Sequence, residues 1–147
     1  MTKMGNILDA VNEKLVKGFP ERIVYVNFCP DNFIRPCFLI EFTSSKQSAA
    51  SYYINEVSVF ITITCFEETD EYSVSSQEEL IRIQGEVLSL FSDRVLPVGD
   101  RFLNIDTGAG GCDANCSFVD LQLKFFDDRK EIKENEVIME NLNLIVN

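Results

Sequence analysis

Histidine and tryptophan are both absent from the 147-residue chain. Without an imidazole, neither a Ser-His nor a Cys-His nucleophile can form. No stretch approaches the roughly 20 apolar residues that a membrane span needs. The first fifteen residues carry charges between their apolar positions, so we expect no signal peptide, no membrane partner and a protein made and kept in the cytosol.

Basic side chains are scarce in the second part of the chain. Residues 1–60 hold six basic and six acidic side chains, whereas residues 61–147 hold seven basic and eighteen acidic ones and so carry the whole net charge of −11. Such a surface repels phosphate, so we expect no sequence-specific binding of DNA or RNA. The acidic runs are typical of solvated faces; the alternative is a repulsive wall or a docking face for a basic partner.

Metal-binding patterns are also missing. The five cysteines are an odd number, which in a cytosolic chain favours reduced thiols. Cys37 and Cys65 lie in apolar runs typical of core residues, and Cys112 with Cys116 supplies two thiols without a second pair. The carboxylates of residues 67–71 lack the glycine-punctuated spacing of a calcium loop. We therefore expect no metal and no cofactor.

Hydrophobic periodicity predicts a single domain over residues 1–147 with the order α-β-β-β-α-β-β-β. Apolar residues at helical spacing predict one helix over 3–17 and a second from Ser76, where Ser76 and Glu79 form a capping box. Alternation predicts strands over 22–28, 35–42, 52–66, 101–105, 116–126 and 137–146. Polar and glycine-rich composition predicts loops at 43–51 and 106–115. This pattern predicts an α+β fold with a mainly antiparallel sheet packed by two helices.

The strand signal over 52–66 is the longest in the chain. Val57, Val59 and Ile61 lie on one face, which we expect to be buried. The opposite face is mostly hydroxylic and suits water or a neighbouring chain. Pro36 cannot donate a ladder hydrogen bond, so it indicates a strand start or a sheet edge.

The stretch "NIDTGAGG", residues 104–111, resembles the active-site loop of retroviral-type aspartic proteases, where the aspartates of two copies share one proton. Under that interpretation Asp106 is catalytic and the protein is a dimeric hydrolase. However, the resemblance demands a glycine in the bracing segment and flap that follow, and residues 117–147 contain none. We therefore interpret the stretch as a hairpin whose glycines permit positive φ: Gly108, Gly110 and Gly111. The sequence predicts no catalytic residue and no enzyme, with the hydrolase as an alternative.

Several segments carry a family resemblance when they are taken in order. An amphipathic helix is followed by two strands, a polar connection, a long strand and a closing strand: "ILDAVNEKLVKGFP", "RIVYVNF", "RPCFLIEF", "SYYINEVSVFITITCF" and "MENLNLIV". This cadence resembles the phage tail terminator family of prophages and contractile tail-like particles in low-GC Gram-positive bacteria. The most distinctive piece is "PCFLI".

The resemblance implies a structural role. Tail terminators generally form a hexameric ring, or collar, that caps the tail tube and stops its polymerisation. In a contractile machine such as a tailocin the cap also meets the sheath protein, and in a phage it faces the head-tail connector. The resemblance thus implies assembly in the bacterial cytoplasm as part of a virion or phage-tail-like particle. Another head-tail completion ring protein is a further alternative.

Candidate interaction residues follow from composition and from this role. Six copies would carry roughly −66 charges, six times −11, which would keep passing DNA from adhering to a lumen. The candidates for such a lining, or for docking on tube subunits, are Tyr52, Tyr53, Glu67, Glu68, Asp70, Glu71, Asp127 and Asp128.

Overall fold

Two helices and six strands make up the protein in a computed structural model that describes residues 4–99 and 101–128. The elements are α1 (Met4–Gly18), β1 (Ile23–Val26), β2 (Cys37–Ala49), β3 (Ile54–Phe66), α2 (Gln77–Leu90), β4 (Val95–Val98), β5 (Arg101–Cys112) and β6 (Cys116–Asp128). The α+β class and the order α-β-β-β-α-β-β-β are confirmed. The predicted strand 137–146 lies outside the described residues.

The strands form one sheet in the order β1-β2-β3-β6-β5-β4. β1 pairs with β2 in parallel, and the other four neighbouring pairs are antiparallel. Helix α1 contacts both β1 and β4, which lie at opposite edges of the sheet. The sheet therefore curls around α1, and its concave side holds the core.

Each helix buries the apolar stripe that its sequence predicts. On α1 the buried side chains are Ile7, Leu8, Val11 and Leu15, and on α2 they include Leu80, Ile83 and Val87. The hydroxyl of Ser76 accepts a hydrogen bond from the backbone N–H of Glu79, as the capping box predicts. Apart from Leu80, these side chains share one core cluster with alternate side chains of β3 and β6. Burial of each such side chain contributes about 1.5–3 kcal/mol.

Two segments that the sequence predicts as loops are largely strands. β2 continues through residues 43–49 in register with β3, after a β-bulge between Phe42 and Ser44. Every side chain in residues 43–49 is exposed, so polar composition is compatible with a strand whose hydrogen bonds come from its neighbour. β5 likewise extends to Cys112, and only residues 113–115 separate it from β6. The prediction of a hairpin is thus right, but its turn is shorter.

Strand β4 was not predicted, because four residues that include a proline give a weak signal. Pro97 is tolerated there since β4 is an edge strand. The glycines of β5 do not use the positive φ that glycine permits; among the described glycines Gly99 has it, at 62°. Gly110 is required for space instead, because a Cβ there would lie 2.9 Å from Cβ of Phe118.

Helix α2 is fixed to this crowded end of β5 and β6 by polar contacts. The side-chain amide of Gln84 donates to the carbonyl oxygens of Gly110, at 3.0 Å, and Phe118, at 2.7 Å. Ser117 Oγ donates to the carbonyl of Leu80 at 3.1 Å. Both side chains are buried, so these bonds satisfy groups that would otherwise be costly.

Candidate assembly surfaces

One face of the sheet carries no helix within the described part of the chain. Both helices pack on the side that holds Ile61 and Leu121. The opposite side, which we call the open face, holds Thr62, Phe60 and the residues paired with them. This is the hydroxylic face that the sequence predicts.

The loop of residues 27–36 covers one end of the open face. The ring centroids of Phe33 and Phe66 are 4.7 Å apart. The Arg35 guanidinium lies over both rings and donates to the carbonyl oxygens of Glu67 and Asn115 at 2.9 and 3.0 Å. These contacts hold the loop against the sheet, and no other segment of the described chain covers the remaining rows of the face.

Strand pairing arranges the uncovered part of the open face in rows across β2, β3, β6 and β5. The acidic row holds Glu41, Thr62, Asp120 and Gly108. The central row holds Ser44, Phe60, Gln122 and Asp106. The basic row holds Lys46, Ser58, Lys124 and Asn104. Thr62 Oγ1 lies 3.1 Å from both Thr43 Oγ1 and Asp120 Oδ1. The sequence predicts the alternation of side chains along β3 and β6. It does not predict the rows, because the rows depend on the register between neighbouring strands.

Both halves of the sheet include strand residues that have no neighbouring strand on one side within the described chain. β1 pairs only with Cys37–Ile40 of β2, so residues 43–49 have a strand on one side alone within the described chain. The N–H of Ala50 donates to the carbonyl of Ile54 at 2.9 Å. By alternation the N–H groups of Ser45 and Gln47 point away from β3. On the opposite side, residues 106–109 of β5 lie beyond the reach of β4 in the same described region.

Tyr52 and Tyr53 lie at the tip of the β2–β3 hairpin. Their side chains are exposed, at 60% and 58%, and their rings form a T-shaped pair with centroids 4.8 Å apart. Two exposed aromatic rings in edge-to-face contact at a hairpin tip form a compact surface, and aromatic residues are enriched in protein interfaces.

The acidic loop after β3 has exposed and buried members. Glu68, Asp70 and Glu71 are exposed, as expected. The Asp70 carboxylate also accepts hydrogen bonds from the backbone N–H groups of Tyr72 and Val74, at 2.8 and 3.0 Å. This carboxylate therefore shapes the loop, in the manner of an aspartate in a turn.

Glu67 differs from its neighbours because it is buried. Its carboxylate lies 2.6 Å from the guanidinium of Arg22, which in turn lies over the ring of Phe38. Both charged side chains are about one-tenth exposed. The expectation that Glu67 faces a partner or a lumen is corrected by this geometry: its carboxylate neutralises a buried cation.

Asp127 also has an internal contact. Its carboxylate lies 2.6 Å from the guanidinium of Arg101 and its side chain is 10% exposed. It therefore joins the start of β5 to the end of β6. The side chain of Asp128 lies outside the described part of the structure.

Asp106 is a strand residue paired in register with Gln122, and the ladder continues through Gly108 and Asp120. Its side chain is exposed on the open face. The hypothesis of an aspartic protease requires this residue to lie in a loop and to meet the equivalent aspartate of a second copy. Its position within a regular ladder gives the segment a structural explanation that needs no catalysis.

The thiols match the sequence interpretation where they are buried. Burial raises the pKa of Cys65 to about 12 and that of Cys37 to about 11, so both stay protonated at neutral pH. Within residues 4–99 and 101–128, no group of three or more histidine, cysteine or acidic residues is placed to hold a metal ion. None of the helices in those ranges has the length and apolar character to cross a membrane.

Comparison with known protein families supports the family resemblance that the order of helices and strands indicates. The family described as "Phage tail terminator protein" matches residues 6–139, which is most of the chain. No curated protein matches this chain. The family is one of structural phage tail proteins, which assemble with other tail components. The resemblance read from the sequence is confirmed, and this chain belongs to the phage tail terminator family.

Proposed function

We propose that this protein caps the end of a phage-type tail tube as a ring of six copies, and that the cap stops polymerisation of the tube. In a contractile particle the same cap ends the sheath, and in a phage it also meets the head-tail connector. We treat residues 1–147 as one assembly domain that works by binding rather than by catalysis. Its partners are copies of itself and the tube protein.

The observation that carries the proposal is the pair of edges that have no strand partner among residues 4–99 and 101–128. Residues 43–49 of β2 and residues 106–109 of β5 lie on opposite sides of one sheet. An exposed strand edge is a template for strand addition. A ring requires contact between two different surfaces of neighbouring copies, since identical surfaces would close at two. Two distinct edges on one subunit meet that requirement.

The exposed candidates supply contacts to the tube or a wall for the lumen. Tyr52 and Tyr53 project from the same hairpin as the free edge of β2. Glu68, Asp70 and Glu71 form an exposed acidic loop at the other end of β3. Carboxylates in a lumen would repel DNA phosphates, because phosphate contacts dominate non-specific binding.

The test is tube length. Purified tube protein is polymerised with and without this protein, and electron microscopy measures tube lengths and capped ends. We expect short tubes with a ring at one end. Gln47→Pro removes an N–H that points away from β3, so it blocks strand addition without breaking a hydrogen bond of the β2–β3 ladder. Gln47→Ala is the matched control, because it keeps the N–H and loses the same side chain.

We expect Gln47→Pro to leave tube lengths close to those without cap, and Gln47→Ala to act as the unmodified protein does. Circular dichroism checks that both variants are folded. Unchanged tube lengths in the presence of the unmodified protein would refute the capping role. Full capping by Gln47→Pro would refute the edge as the contact that matters.

A further inference from the structure

The open face carries opposite charges at equal distances from its central row. Glu41 and Asp120 lie in the acidic row, and Lys46 and Lys124 lie in the basic row. Neither row holds a charge of the other sign. Each row is two residues from Phe60 along β3, which is about 6.7 Å.

This spacing makes the face complementary to itself. A two-fold axis along the central row, across the strands, places the acidic row of one copy over the basic row of a second. Lys124 then faces Asp120 of the second copy, and Lys46 faces Glu41. An axis parallel to the strands would place like charges together, so charge selects one alignment.

We propose that two copies of this chain pack open face against open face about this axis, joined by ion pairs between Lys124 and Asp120 and between Lys46 and Glu41. Packed sheets lie about 10 Å apart with their strands near −30°. The half-buried side chains of Phe60 and Gln122 then meet their own copies at the axis.

A shallow cavity of about 250 Å³ receives the lysine. It lies beside Phe60 and is lined by Asp120, Gly108 and Gln122, among others. The missing side chain of Gly108 leaves the space. The aliphatic stem of Lys124 from the second copy lies on the apolar lining while its ammonium group reaches the Asp120 carboxylate.

The ends of the face are complementary in another way. The loop of residues 27–36 covers one end and exposes Phe28 and Ile34, at 72% and 60%. The same axis keeps each strand over its own copy, so this loop, which joins β1 to β2 and contacts β3, comes over the far end of β2 and β3 in the second copy. Tyr52 and Tyr53 are 60% and 58% exposed at that end, and the contact removes apolar surface from water.

This pairing goes beyond the proposed ring and does not depend on it. It closes at two copies and leaves the free edges of β2 and β5 unused. Because the sheet curls around α1 and the open face is its outer side, contact is limited to the central strands and the ends of the face. The interface belongs to the small class, below about 1,200 Å², so we expect a weak, reversible dimer.

Charge exchange tests the alignment directly. Sedimentation velocity of the full chain over a wide concentration range should show a monomer–dimer equilibrium. Lys124→Glu and Asp120→Lys should each raise Kd at least about tenfold, because each places two pairs of like charges in the homodimer. An equal mixture of the two variants should dimerise again, since both contacts become attractive in the mixed pair.

Matched controls carry the same charge changes on the helix side of the sheet. Lys17→Glu and Glu13→Lys alter exposed residues of α1 and should leave Kd within about threefold. A protein that stays monomeric at every concentration would overturn the pairing, and so would dimers that persist in both single variants or a mixture that fails to associate. A dimer without tube capping contradicts the ring alone, whereas capping without a dimer contradicts the pairing alone.

Discussion

The two faces of the sheet use alternate residues of the same strands for different purposes. On the helix side Ile61 and Leu121 are each 1% exposed and contact a continuous apolar core. One residue further along, Thr62 and Gln122 lie on the open face and are half-buried. Folding free energy therefore comes mainly from the helix side. We therefore expect charges on the open face to contribute little to folding and to be available for recognition.

The largest test of this contrast compares neighbours on β6. Leu121→Ala should lower the free energy of unfolding by about 2–5 kcal/mol, because it leaves a cavity among buried side chains. Gln122→Ala, one residue away on the open face, should change it by about 0.5 kcal/mol or less. Urea unfolding with unchanged m-values measures both. Equal losses would mean that the open face contributes to folding as much as the core does.

Two glycines of β5 sharpen the same comparison. Gly110→Ala should destabilise by about 1–3 kcal/mol, because the new methyl would crowd Cβ and the carbonyl of Phe118. Gly108→Ala meets nothing within 4 Å and should be neutral or stabilise by up to about 1 kcal/mol. Thermal unfolding of the pair is the measurement. A similar loss for both would show that backbone conformation, rather than space, selects glycine in β5.

A buried thiol on the helix side also predicts that the free energy of unfolding depends on pH in the alkaline range. Cys65 has a folded pKa raised to about 12 by burial, against an ordinary value near 9. Unfolding above pH 9 therefore releases a proton from this thiol, and stability falls as pH rises from about 9 to 12. The slope for one thiol is about 1 kcal/mol per pH unit.

Cys65→Ala is the control for that slope, because it removes the thiol and should flatten this part of the stability profile while costing some stability at every pH. Urea unfolding at a series of pH values measures the change. An identical slope with and without Cys65 would assign the alkaline loss to other groups.

The smallest effect concerns the open face alone. Asp106 lies on the central row, so in the face-to-face pair it opposes its own copy and weakens association. Asp106→Asn should lower the Kd of the dimer by about two- to fivefold at low salt. The gain should shrink as ionic strength rises. Weaker pairing on neutralising Asp106 would contradict the placement of the axis.

Periodic patterns predicted the elements that face the core. The stripes of α1 and α2 and the alternation of β3 and β6 were readable because burial imposes them on sequence. Residues 43–49 were predicted as a loop because their side chains are polar. Their strand conformation comes from pairing with β3, which leaves no hydrophobic signal. β4 was missed since four residues carry too little pattern.

The candidate surfaces were harder to predict than the fold. Glu67 belongs to an acidic run, and nothing local distinguishes it from Glu68; the difference is the distant Arg22, which comes from another part of the chain. The rows of the open face likewise required register, including the bulge after Phe42. Composition indicated that the second face was polar but could not order its charges.

The two edges of the sheet differ, so a contact between the β2 edge of one subunit and the β5 edge of the next has a defined direction. When the β2 edge of each copy meets the β5 edge of the next, every subunit in a closed circle has the same orientation. The proposed ring would therefore have two different openings, and we expect only one of them to match the end of a tube. Identical edges would close at two copies, whereas unlike edges would give the proposed ring two different faces.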